Sequence, residues 1–259
     1  MLISKTNDKY KLLKDYIKKT PKDYTITDDL QVLKIALDFN LEISYLYYSY
    51  EAIFKDDTLN LLNQLKNKSH EVYELTNQNI KSLLSKENHA EIIAVIKLKE
   101  YKLDDFKNKD FIMVLDSLEI PGNVGTILRT LDSIKCDLVL LVNPVTKINN
   151  SKITSSSRGC NLIIPTIDIS YEDAQKFLLD NNYDIYLGEP KLGLNYKEYD
   201  YKTKTALVVG NERFGINNNW YNNNHKKVYI PMEGNQNSLN VSVAASILAY
   251  EVYMKKNNL

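Results

Sequence analysis

Apolar and polar positions divide the chain into two stretches of different rhythm. In the first hundred residues, short segments alternate between the period of a helix and that of a strand. DKYKLLKDYIKK reads as a helix that Asn7 can cap, YTIT (24–27) as a strand and LQVLKIALDFN (30–40) as a helix. ISYLYYS (43–49) is β-branched and aromatic, as a strand requires. Asp57–Thr58 can cap TLNLLNQLKNK; EVYEL reads as a short strand, NIKSLLSK as a helix and EIIAVIKL (91–98) as a strong strand. Together these predict a small α/β/α domain over residues 1–100. KEYKLDDFKNK is charged and lacks apolar periodicity, which predicts a linker over 101–109.

The second stretch, 110–259, is built from continuous apolar runs. FIMVLDS (111–117), DLVLLVN (137–143), NLIIPTID, DIYLGE (184–189), TALVVGN (205–211) and KKVYIPM (226–232) read as buried strands. TILRTLDSI, NSKITSSSRG in part, YEDAQKFLLDNN and residues 239–256 read as helices between and after them. The alternation predicts an α/β fold with a mostly parallel sheet, whose ligands bind at the C-terminal ends of the strands. The last helix is unusual: it is apolar without a clear polar face, and small residues line its first turns.

Composition narrows the picture. The chain has 259 residues, 44% of them hydrophobic and 25% charged, as in a soluble globular protein. It holds no apolar run of the roughly 18 residues a membrane span needs, and its first residues lack the apolar core of a secretion signal. Cys136 and Cys160 stand apart, which predicts buried free thiols in a reducing cytoplasm. His70, His89 and His225 show no ligand spacing, so no metal is expected. Formal net charge is zero, which excludes a uniformly basic nucleic-acid binder but not local patches. One such patch is the first 22 residues, with seven lysines and two aspartates: a solvated helix face or a phosphate-contacting arm. The 33 basic residues are 30 lysines and only three arginines, Arg129, Arg158 and Arg213. In a chain that uses Lys for generic charge, an Arg marks a place that needs a planar, multi-donor fork.

Three loops gather the candidate chemistry. EIPGNVGTILRT carries Asn123, Gly125 and Arg129 in the spacing N-x-G-x-x-x-R, with a turn expected at Pro121–Gly122 and a helix from about Val124. The turn lacks the G-x-G-x-x-G pattern of a dinucleotide-binding loop, which argues against a Rossmann-type oxidoreductase. VVGNERFGI ends a buried strand in Gly210 and follows with Asn211, Glu212, Arg213 and Gly215; Glu212 can accept from ligand hydroxyls or pair with an Arg. PMEGNQNSLNVSVAASILAY places Asn237 or Ser238 as the cap of a helix from Leu239, whose free N–H groups can hold a carboxylate or phosphate.

In this order, N-x-G-x-x-x-R, then strand–G-N-E-x-x-G-I, then I-P-M-x-G-x-x-x-S-L-N-V-S-V-A-A resemble the SpoU family of RNA ribose 2′-O-methyltransferases, of the SPOUT class, over roughly residues 110–256. The resemblance implies a C-terminal domain tied in a trefoil knot, with 231–240 passing through the GNERFG loop. It implies S-adenosylmethionine as donor, contacted by Val209, Gly210, Asn211, Glu212, Gly215, Ile230, Met232, Ser238, Leu239 and Asn240. It further implies a homodimer through the last helix and the helix of the first loop, so that Arg129 of one subunit reaches the donor held by the other. Arg129 would be the catalytic residue, as base or as ribose-orienting group. Asn123, Ser238 and Asn240 would support it.

The first hundred residues resemble the ribosomal-protein-L30e-like substrate-binding domain found on many SpoU enzymes, departing from it at Thr27–Asp28, where an acid–Gly pair is common. SSSRGCNLIIP resembles a segment of thiostrepton-resistance-type members that carries a second RNA-contacting arginine, here Arg158. Lys5, Lys9 and Lys11 would join it in gripping phosphate. The substrate implied is RNA, 23S rRNA ahead of tRNA, and not DNA, which lacks the 2′-hydroxyl. A non-catalytic RNA-binding protein is the other reading.

Overall fold

The two rhythms become two sheets. A computed structural model describes residues 1–83 and 90–259, which divide into two compact units: Met1–Lys99 with Asn149–Ile163, and Glu100–Ile148 with Ile164–Leu259.

In the first unit, helices α1 (Asp8–Lys18), α2 (Leu30–Asp38), α3 (Asp56–Lys68) and α4 (Asn77–Lys81) surround strands β1 (Tyr24–Thr27), β2 (Ile43–Tyr48), β3 (Ser69–Glu74) and β4 (Ile92–Lys97). The sheet order is β1-β4-β2-β3, antiparallel except for β2 with β3. Asn7 caps α1 as its spacing suggests, accepting from the Lys9 N–H at 2.9 Å. Helix α3 starts before the expected Asp57–Thr58 cap: Lys55 is its N-cap and makes no side-chain cap bond, so Asp56 and Asp57 lie in the first turn, where their charge suits the helix dipole. The residues of NIKSLLSK from 84 onward, and His89, lie outside the described residues.

One stretch of the second half belongs to this unit. Helix α6 (Ser151–Ser156) and a 3₁₀ turn at Cys160–Leu162 sit within 149–163, expected with the C-terminal domain. Leu162 joins the buried cluster of Val32, Leu33, Ala36, Ile43 and Leu46. Thr154 Oγ1 lies 3.0 Å from Thr25 Oγ1, and Asn149 Nδ2 donates to the Pro21 carbonyl at 2.9 Å. The strand expected over NLIIPTID therefore begins only at Thr166, because Asn161 and Leu162 belong to that 3₁₀ turn and 163–165 form no regular element.

The second unit holds β5 (Phe111–Asp116), α5 (Pro121–Ser133), β6 (Leu138–Val142), β7 (Thr166–Ile169), α7 (Tyr171–Asp180), β8 (Asp184–Glu189), β9 (Leu194–Asn195), β10 (Thr205–Val209), β11 (Lys226–Tyr229) and α8 (Val241–Asn257). Its sheet order is β7-β6-β5-β10-β8-β11-β9, and among the described residues every neighbouring pair runs parallel. The central strands are buried along their length, which is why they read as unbroken apolar runs. Residues 101–109 are not a free linker. Phe106 is buried with Ile112, Leu138, Phe177 and Tyr183, and the Tyr183 hydroxyl donates to the Phe106 and Lys109 carbonyls.

Two helix starts differ from the sequence expectation. Helix α5 begins at Pro121, not near Val124; proline suits the first helical position, where its missing N–H costs nothing. Helix α8 begins at Val241 with Asn240 as N-cap, accepting from Ser242 N at 2.8 Å; Ser238 and Asn237 lie in the exposed loop before it.

Candidate active site

Strands β5, β10, β8 and β11 end on the same edge of the parallel sheet, so the loops that leave them meet. The 211–217 loop is shaped first by its own atoms. Asn211 Oδ1 accepts from the Arg213 and Phe214 amides at 2.9 and 3.1 Å, and the Asn211 and Gly215 backbones exchange two hydrogen bonds of 2.9 Å. Gly215 closes the turn at φ +73°, a conformation that favours glycine. A Cβ on Gly210 would stand 2.2 Å from the Gly215 and Ile216 backbone, so this position admits no side chain.

The loop is then stitched to the end of β5. Asn211 Nδ2 donates to the Ser117 carbonyl at 2.8 Å, and buried Asp116 accepts from the Asn217 amide at 2.8 Å. Burial pushes the Asp116 pKa up, against the pull of the Asn217 amide, the Ser117 hydroxyl and Trp220. Glu212 accepts from the Glu119 and Ile120 amides at 3.1 and 3.2 Å and from Asn123 Nδ2 at 2.9 Å. Partial burial would raise its pKa, but those donors outweigh it and hold the carboxyl below its ordinary value. Glu212 is thus a carboxylate anchor for the start of α5, where the helix dipole also favours an anion.

The third loop joins through Asn240, whose Nδ2 donates to Asn123 Oδ1 at 3.2 Å while its Oδ1 accepts from the Ser242 amide and hydroxyl. Glu212, Asn123, Asn240 and Ser242 therefore form one hydrogen-bonded chain across all three loops. The three loops line a cavity of about 790 Å³, within the ordinary range for small-molecule sites.

The cavity brings together Asn123 and all ten residues the family resemblance assigned to the donor: Val209, Gly210, Asn211, Glu212, Gly215, Ile230, Met232, Ser238, Leu239 and Asn240. It does not include Arg129, which is exposed on α5. Helix α5 lies along α8, with Thr130 Oγ1 2.9 Å from Ser246 Oγ and Ser133 Oγ 3.1 Å from the Tyr250 hydroxyl. Helix α8 buries Ala245, Leu248, Ala249 and Val252, yet leaves Val243, Tyr250 and Met254 exposed on another side.

The four candidate phosphate contacts lie in the first unit. Lys5 and Lys11 are exposed. Lys9 is engaged already, in an ion pair of 2.8 Å with Glu71 and 4.9 Å from the Tyr45 ring centroid. Arg158 is exposed, at φ +51°, and donates to Gln31 Oε1 at 2.6 Å. Among the described residues no group of His, Cys, Asp and Glu could hold a metal ion, and no helix is long and apolar enough to cross a membrane.

The cavity also holds residues the sequence reading passed over: Glu189 at the end of β8, Tyr221, and Lys227 on β11. The signal for Glu189 was present, since it ends the DIYLGE strand on the edge where ligands bind.

Residues 110–250 match the SpoU rRNA Methylase family, more than half of the chain. The chain belongs to the SpoU family. Among similar proteins, an uncharacterized tRNA/rRNA methyltransferase of Borreliella burgdorferi is 32% identical over 211 residues, covering 80% of this chain and 89% of that protein. The 23S rRNA (guanosine(2553)-2'-O)-methyltransferase RlmP of Bacillus subtilis is 29% identical over 180 residues, covering 70% and 71%. The crystal structure of an AdoMet-bound rRNA methyltransferase from Sinorhizobium meliloti superposes with a TM-score of 0.84 at 22% identity, covering 97% of each chain. That likeness establishes the shared α/β fold.

Proposed function

We propose that this SpoU protein is an S-adenosylmethionine-dependent RNA ribose 2′-O-methyltransferase that acts on 23S rRNA in the cytoplasm. The observation that carries the reading is the convergence of three separate sequence motifs on one cavity of about 790 Å³ at the strand ends. The lining fits the donor in kind. Val209, Ile230, Met232 and Leu239 offer apolar surface, while Asn123, Ser238 and Asn240 offer polar groups, the mixture an amphiphilic nucleoside with an amino-acid tail needs. When bound, the donor supplies a methyl group activated by a sulfonium. The loop 231–240 would be drawn through the 211–217 loop as a trefoil knot; the absence of room for any side chain at Gly210 supports such tight packing.

The chain's own residues supply position. Glu212 and Asn123 fix the start of α5, which carries Arg129, and Asn240 ties that helix to α8. A guanidinium has donors only, so Arg129 orients the target ribose and its phosphate. Holding two reactants in line is worth about 7–11 kcal/mol of barrier. Since Arg129 lies outside the cavity lining of its own chain, it would serve the donor of a second copy. The exposed stripe of Val243, Tyr250 and Met254 on α8 supports a homodimer. Sedimentation should give a dimer, and Val243→Asp with Tyr250→Asp a monomer; a monomeric parent chain would end that part of the reading. Lys5, Lys11 and Arg158 of the first unit would meet RNA phosphate, with Lys9 held by Glu71.

Calorimetric titration with S-adenosylmethionine tests the donor assignment. The chain should bind one donor per cavity, and Arg129→Ala should bind it as well while losing methyl transfer. No heat of binding, or full transfer by Arg129→Ala, would overturn the assignment.

A further inference from the structure

Two carboxylates line the cavity, and they differ in what is left of them. Glu212 spends both oxygens on the Glu119 and Ile120 amides and on Asn123. Glu189 accepts from the Tyr221 hydroxyl through Oε1, and among the described residues no protein donor reaches its Oε2. Burial is the main influence on its pKa, which lies above the ordinary carboxylate value despite nearby Lys227. Three elements build this corner. Glu189 ends β8, paired with Tyr229 of β11; Tyr221 comes from the 3₁₀ turn at Asn218–Asn222; and Lys227 on β11 stands 5.3 Å from the Tyr221 ring centroid.

A half-buried carboxylate fixed through one oxygen is an acceptor prepared for a ligand donor. Its place in the cavity says which part of the ligand it meets. Strand β8 lies between β10, which ends at Val209, and β11, which leads into Ile230. Glu189 therefore sits on the apolar strand-end wall. The 238–240 segment that leads into α8 lines the same cavity with the polar side chains of Ser238 and Asn240, suited instead to the donor's charged amino-acid tail.

Resting on the donor assignment above, we infer that Glu189, oriented by Tyr221, accepts a hydrogen bond from a hydroxyl or amino group of the nucleoside half of S-adenosylmethionine. This makes Glu189 a binding residue and Tyr221 a positioning residue.

The full-length chain, Glu189→Ala, Glu189→Gln and Tyr221→Phe would be titrated with S-adenosylhomocysteine and with methylthioadenosine, which keeps the nucleoside but lacks the amino-acid tail. Thermal unfolding would confirm that each variant is folded. Glu189→Ala should weaken both ligands by the same factor, roughly tenfold or more for a charged hydrogen bond. Glu189→Gln, with a neutral acceptor, and Tyr221→Phe should lose less. The 2′-deoxy, 3′-deoxy and N6-dimethyl forms of methylthioadenosine separate the two sources, because the analogue missing the partner group should bind Glu189→Ala and parent alike. A loss confined to S-adenosylhomocysteine would place the carboxylate on the amino-acid half and overturn the inference, as would equal binding by parent and Glu189→Ala. A parent chain that binds neither ligand would instead refute the donor assignment itself.

Discussion

At the residue scale, position in a network decides what a side chain does more than its type. Glu212, open in the sequence to a ligand hydroxyl or an Arg, is consumed by the 119–123 segment. Its pKa lies below the ordinary carboxylate value because, against the opposing effect of burial, Asn123 and two amides donate to it. A group depressed in this way stabilises the fold fully above its unfolded pKa, and that contribution is lost as pH falls through the folded pKa. Urea unfolding of the parent chain should therefore weaken from about pH 5 downward, and Glu212→Gln should show a shallower decline. Asp116, raised by burial, acts with the opposite sign; it is present in both proteins, so the difference between the curves reports Glu212. Identical slopes would show that Glu212 is not the anchor described. The sequence displayed the glutamate but not its partners, since these lie some 90 positions away and meet it only when two parallel strands end side by side.

At the scale of elements, the strands were the most legible part. Their apolar runs follow from burial on both faces, and FIMVLD, LVLLV and TALVV all stand where the pattern puts them. Helix starts were less legible because neighbouring residues compete for the cap. Pro121 could end a turn or open a helix, and it opens α5. Asn237, Ser238 and Asn240 can all cap; Asn240 does so, and only it also reaches Asn123. Asn240→Ala should cost about 1 kcal/mol for the lost cap, read as a lower denaturation midpoint at unchanged slope. Asn240→Asp should keep the cap, recovering most of the stability but losing the donation to Asn123, and with it donor affinity. If Asn240→Asp binds the donor as tightly as the parent, the link between the two loops has no role in binding. The two-residue strand β9 had no sequence signal, being too short to repeat the alternation of a strand.

At the scale of the molecule, the division of the chain was only half visible. The change of rhythm near residue 100 is local, whereas the excursion of 149–163 into the first unit is a tertiary choice made by Leu162, Thr154 and Asn149. Removing residues 1–99 alone strips that excursion of its packing. Burying a leucine such as Leu162 is worth about 1.5–3 kcal/mol, so this truncation should aggregate or melt early. A version that also replaces 149–163 with a Gly/Ser linker should be soluble and bind S-adenosylmethionine while losing RNA affinity. A well-behaved truncation that keeps 149–163 would contradict the assignment of that segment.

The central claim, methyl transfer to a ribose of 23S rRNA, is tested most directly by incubating the chain with methyl-labelled S-adenosylmethionine and unmodified ribosomal RNA or tRNA, then hydrolysing in alkali. A 2′-O-methyl group blocks cleavage at its own nucleotide, so label should appear in one alkali-resistant dinucleotide from 23S rRNA, and vanish with Arg129→Ala. Label in tRNA, label released as a methylated base, or none in any RNA would contradict the account.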